Sequence, residues 1–127
     1  MVSFEAFRAV DGTPVYLQII NFIKRGAIAG TIRDGDELPS RRVLSALLGI
    51  NPNTVQKAFH ILEEEHLMES RTGAKSCMTL PPDILDALRR EVLSDELCTM
   101  ARTLRQLGIS KEEALRLIEQ AWKEEEG

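Results

Sequence analysis

The stretch Leu47-Leu48-Gly49-Ile50-Asn51-Pro52 leaves this chain few choices. Glycine after apolar residues at helical spacing closes a helix by taking the left-handed conformation that other residues resist. Asparagine followed by proline opens another, with Asn51 as N-cap and Pro52 at the first helical position, where its missing N–H costs nothing. Only Ile50 separates the end from the start, so two helices must meet at a fixed angle. The first is capped by Ser40 and runs through Val43, Leu44, Leu47 and Leu48. The second carries the stripe Val55, Ala58, Phe59 and Leu62, and presents Asn53, Thr54, Gln56, Lys57 and His60 on its other side.

The rest of the chain arranges itself around this pair. After an irregular opening, Pro14 starts a helix with Val15, Ile19, Phe22, Ile23 and Ile28 at helical spacing, closed by Gly30. RDGDELP reads as a loop. Leu67 to Ser70 and Ser76 to Leu80 read as a hairpin around a turn containing Gly73, stopped by Pro81-Pro82. Beyond the prolines, one helix spans roughly 83–107, with the seam Leu93, Leu97, Met100, Leu104 and Leu107 at alternating steps of four and three. Gly108 ends it, and Ser110 with Glu113 forms a capping box for a last helix bearing Leu115, Ile118 and Trp122. The expected fold is mainly α with a small β-hairpin: a winged helix-turn-helix over residues 1–80, then a two-helix dimerisation region over 81–127.

With 127 residues there is room for one soluble core and not for a multidomain enzyme. No apolar run approaches the roughly 20 residues of a membrane helix, and the N-terminus lacks the basic start and apolar middle of a signal peptide. A cytoplasmic protein with no membrane partner is expected. Cys77 and Cys98 stand apart from each other and from other ligands, and His60 and His66 lack a second ligand at metal spacing. Neither disulfide nor metal is expected, and no phosphate loop, catalytic triad or paired carboxylates argue for an enzyme or a cofactor.

Net charge is −4, but its distribution matters more. Residues 1–80 balance nine bases against nine acids, while residues 81–127 hold seven against eleven, the whole deficit. The 25 residues from 38 to 62 contain Arg41, Arg42 and Lys57 and no acid, and the stretch between Glu69 and Asp83 contains Arg71 and Lys75 and none. Facing phosphates penalises every acid in such a window. A winged helix used as a protein-interaction adaptor is the alternative, but it has no need to exclude acids there.

The helix-turn-helix gives these windows a use. Small Ser45 lets its two helices approach, Gly49 makes the turn, and Leu44, Leu48, Ile50 and Val55 hold the angle, so Asn53, Thr54, Gln56 and Lys57 project outward. Asn and Gln pair bidentately with adenine; Thr, Lys and the helix N-terminus at Asn51 suit phosphates. The expected DNA-binding set is Arg41, Arg42, Asn51, Asn53, Thr54, Gln56 and Lys57, with Arg71, Gly73 and Lys75 from the wing.

TPVYLQI, then LPSRR, INPNTV and ILEEE in order and at matching spacing, make residues 13–80 resemble the winged helix-turn-helix of GntR-type bacterial transcription regulators. The short two-helix C-terminus is similar to that of the YtrA subfamily. The resemblance implies that Arg42, Asn53, Thr54 and Gln56 contact double-stranded DNA and that Gly73 lies at the wing tip near the minor groove. It also suggests repression. Two departures stand out: Lys75 and Cys77 replace a second wing glycine and an aromatic residue, and Pro52 sits where some members place a base-contacting arginine.

A two-helix hairpin cannot bury both the Leu93-Leu97-Met100-Leu104-Leu107 seam and the stripe with Ile118 and Trp122 within itself. A second copy can, so a homodimer reading an inverted-repeat operator is expected. Two helices alone are too few to enclose a small-molecule pocket, and no effector is named.

Overall fold

The computed structural model describes residues 1–71 and 75–127, over which the chain forms five helices and one three-stranded antiparallel sheet. In chain order these are α1 (Val15–Ala29), β1 (Glu37–Leu38), α2 (Arg41–Leu48), α3 (Pro52–Glu64), β2 (Met68–Arg71), β3 (Lys75–Met78), α4 (Pro82–Gln106) and α5 (Lys111–Glu126).

The expected helices form where their caps place them. Gly30 ends α1 at φ 88° and Gly49 ends α2 at φ 65°. Ser40 Oγ, Asn51 Oδ1 and Ser110 Oγ each accept an amide from the first turn of the helix they open. The core of the first part is built by α1 packed on α3, with α2 against α3. Ile19, Ile23, Leu44, Val55, Phe59 and Leu62 are its largest fully enclosed side chains. Gly26 allows the chain after α1 to fold back, because a Cβ there would lie 2.6 Å from Ile32 Cδ1.

Three features depart from expectation. The sheet has a third strand: Glu37 and Leu38 pair with Cys77 and Ser76, giving the order β1-β3-β2. Two residues inside turn chemistry carry no strand periodicity; their partner makes them a strand. Asp34 and Asp36 organise this loop, accepting the amides of Leu80 at 2.7 Å and Arg33 at 2.8 Å. The irregular N-terminus is also part of the core. Val2, Phe4 and Phe7 are buried, Phe4 stacks on Phe22 with centroids 5.2 Å apart, Phe7 meets Phe22 edge-on at 5.5 Å, and the Val2 amide donates to the Glu37 carbonyl. Finally, Val43 and Leu47 on α2 are exposed, so only Leu44 and Ser45 of that helix are buried, with Leu48 half-buried.

The chain divides into two compact units, Met1–Arg89 and Arg90–Gly127. Pro82 takes the first position of α4, a helix that contributes residues to both, and Leu80 and Leu88 are buried. The second unit contains no buried residue.

Candidate nucleic-acid interface

The turn between α2 and α3 is tied from inside. Ser45 is buried; its carbonyl accepts the amides of Gly49 and Ile50, and its hydroxyl donates to the Ile50 carbonyl. With Val55, Ala58, Phe59 and Leu62 turned to the core, Asn53, Gln56 and Lys57 are exposed on the opposite face of α3, and Thr54 is half-buried at its edge. Asn51 is exposed, but its side-chain oxygen is engaged by the Asn53 amide at 2.8 Å, which makes it a cap first.

The basic residues fall into two groups. Arg42 and Arg71 are exposed and no carboxylate lies within 4.0 Å of either among the described residues. Arg41 and Lys75 each have one: Arg41 Nη2 is 3.9 Å from Glu63 Oε1, and Lys75 Nζ is 3.6 Å from Glu37 Oε2. The windows free of acid in sequence are therefore not free of acid in space, since β1 and the end of α3 return Glu37 and Glu63 to their edges. Glu63 also accepts the Ser70 hydroxyl at 2.6 Å, joining α3 to the wing strand β2. Lys57 is held differently, with its ammonium 4.1 Å from the centroid of the Tyr16 ring on α1. Sequence reasoning missed Tyr16, Glu37 and Glu63, because neither the α1–α3 contact nor the third strand leaves a local signal.

Arg41 and Arg42 border a cleft of about 370 Å³ with Ser40, Phe59, Ser70 and Ser76. In the wing, Arg71 and Lys75 stand directly opposite each other across β2 and β3. Like charges so placed weaken a hairpin. Gly73 lies outside the described residues.

In the second unit the expected seam is open to solvent. Leu97, Leu107 and Trp122 are more than 60% exposed, Leu93, Met100 and Ile118 are also exposed, and Leu104 is half-buried. The backbone of α5 does not run close along α4. An apolar groove of about 610 Å³ lies between them, lined by Met100, Leu104, Leu117, Ile118 and Trp122. Both cysteines are free thiols, and no group of three metal-ligating side chains occurs among the described residues. No helix among those residues is long and apolar enough to cross a membrane.

Comparison with known proteins fits this geometry. The model of the bacterial regulatory proteins of the gntR family matches residues 15–75. The HTH-type transcriptional regulator YhcF of Bacillus subtilis is 30% identical over 102 residues, which cover 80% of this chain and 84% of that protein. The HTH-type transcriptional repressor YtrA of the same organism is 44% identical over 63 residues, 50% of this chain and 48% of that one. Among solved structures, a GntR family transcriptional regulator from Listeria monocytogenes superposes with a TM-score of 0.81 at 28% identity, over 88% of this chain and 98% of its own.

Proposed function

The chain belongs to the GntR family of bacterial regulatory proteins and is a DNA-binding transcriptional regulator, not an enzyme; on that premise we propose that it is a cytoplasmic repressor that binds an inverted-repeat operator as a homodimer. In this reading residues 1–80 bind DNA and residues 81–127 pair two copies. Asn53 and Gln56 read bases from α3, while Arg42, Thr54 and Lys57 meet the backbone. Arg41 and the capped N-terminus at Asn51 border the same strand, and Arg71, Gly73 and Lys75 carry the wing to the neighbouring groove. The repressor YtrA of Bacillus subtilis supports the sign of the regulation, though its similarity spans about half of each chain.

The observation that carries the dimer is the second unit, which holds Leu93, Leu97, Met100, Leu107, Ile118 and Trp122 exposed and buries no residue at all. Burial of apolar surface gains about 25 cal/mol per Å², so such a face is stable in water only when something covers it. A second copy brings the same apolar face with a matching two-fold arrangement.

Footprinting the protein on the DNA upstream of its own gene tests the reading. Two protected half-sites in inverted orientation are expected, about 34–36 Å apart if the two α3 helices enter successive major grooves. A single unpaired half-site, protected by a species that sediments as a monomer, would overturn it.

A further inference from the structure

We infer that Tyr16 is a positioning residue for DNA binding: its ring holds the Lys57 ammonium ready for a backbone phosphate. This rests on the reading that α3 faces DNA. Tyr16 lies in the first turn of α1 and is half-buried, and α1 packs on α3. Lys57 projects from the exposed side of α3, and its ammonium sits 4.1 Å from the Tyr16 ring centroid. Among the described residues no carboxylate comes within 4.0 Å of Lys57, in contrast to Arg41 and Lys75.

The difference has a physical consequence. A lysine paired with a carboxylate must give up that charge before it gains a phosphate, and a lysine with no partner must freeze a long, rotamer-rich side chain on binding. An aromatic face avoids both. It attracts the cation through its quadrupole, restricts the stem before binding, and is neutral, so it does not repel an arriving phosphate. The ammonium's donors on the side away from the ring stay available. Tyr16 thus lowers the ordering cost of a phosphate contact made by another residue and need not touch DNA itself.

The test titrates the full chain with a synthetic duplex of arbitrary sequence over a series of salt concentrations, since a phosphate contact acts on all sequences alike. Lys57→Ala is expected to lower affinity and reduce the salt slope by about one. Tyr16→Leu is expected to cost about two- to fivefold in affinity, the size of an exposed cation–π contact, with the slope unchanged because the charge remains. The Tyr16→Leu loss should vanish in the Lys57→Ala background, and Tyr16→Phe, which keeps the ring, should bind as wild type. Additive losses, or equal losses in Tyr16→Phe and Tyr16→Leu, overturn the proposal.

Proton NMR of the free protein supplies a second reading that survives if Tyr16→Leu does not fold. Ring-current displacement of the Lys57 ε-methylene signals is expected in wild type and Tyr16→Phe, and unshifted signals overturn the inference. Silent Tyr16 variants beside a defective Lys57→Ala remove the positioning role and leave the interface standing. Wild-type binding by Lys57→Ala, Arg42→Ala and Arg71→Ala alike removes the interface, and the inference with it.

Discussion

The hydroxyl of Ser45 sits inside the turn between α2 and α3, where it donates to the Ile50 carbonyl while its own carbonyl accepts two amides. Alanine would fit the space but leave the Ile50 carbonyl without this donor, and a larger residue would push the helices apart. The need for a small residue is readable from its place before Gly49; the bond to Ile50 is not, because it depends on the closed turn. His66 was equally hidden. It follows the C-cap Glu65 of α3 at φ 63°, with its amide donating to the Glu63 carbonyl and the Leu67 amide to that of Leu62. Left-handed conformation costs a non-glycine residue about 1–2 kcal/mol, partly offset by the greater unfolded-state freedom of glycine. His66→Gly should therefore raise stability by about 0.5–1 kcal/mol, seen as a higher urea midpoint at constant m-value. On α3 the predictions concern recognition. Asn53→Ala and Gln56→Ala should each weaken binding to the footprinted site by about 1–3 kcal/mol while sparing arbitrary DNA. Equal losses on both duplexes in a competition titration would remove the residue concerned from the base-reading set.

At the scale of elements, helices were readable and the sheet only in part. The α3 stripe Val55, Ala58, Phe59 and Leu62 is buried as its spacing implies, and the caps at Ser40, Asn51 and Ser110 all form. These signals are local. β1 has no such signal, because it exists through long-range pairing of Glu37 with Cys77 and Leu38 with Ser76. The same holds for the N-terminal segment, whose Phe4 and Phe7 find Phe22 on α1. The charge windows, read along the chain, were half of the story, for strand pairing brings Glu37 to Lys75. The wing prediction follows from the facing pair Arg71 and Lys75. Replacing both by Glu should lower DNA affinity by more than tenfold, since two favourable charges become two unfavourable ones. Exposed charges contribute little to folding, so the melting temperature should barely move. Unchanged affinity in a filter-binding titration would show that the wing stays off the DNA.

For the whole molecule, the two compact units invite separation. The first unit has a core of its own, and Leu80 and Leu88 are buried, so the informative truncation falls after Arg89 and not at the prolines. That fragment should fold, sediment as a monomer and bind the footprinted site at least about a hundredfold more weakly, because joining two half-site binders raises affinity by about 10²–10⁴. Fragment binding as tight as that of the full chain would dissociate the C-terminal helices from DNA affinity. The carboxylates beside Arg41 and Lys75 bear on a different problem, finding one address in a genome. A regulator meets about 10⁶–10⁹ wrong sites for each right one. With Glu63 beside Arg41 and Glu37 beside Lys75, two cations are already partly neutralised before any DNA arrives. If Arg41 and Lys75 meet the DNA backbone as proposed, any duplex must displace these acids to gain its phosphates, so fewer counterions are released on every sequence alike. On that reading the acids trim the sequence-independent part of the affinity, and the task of telling one address from another falls to the base contacts proposed for α3.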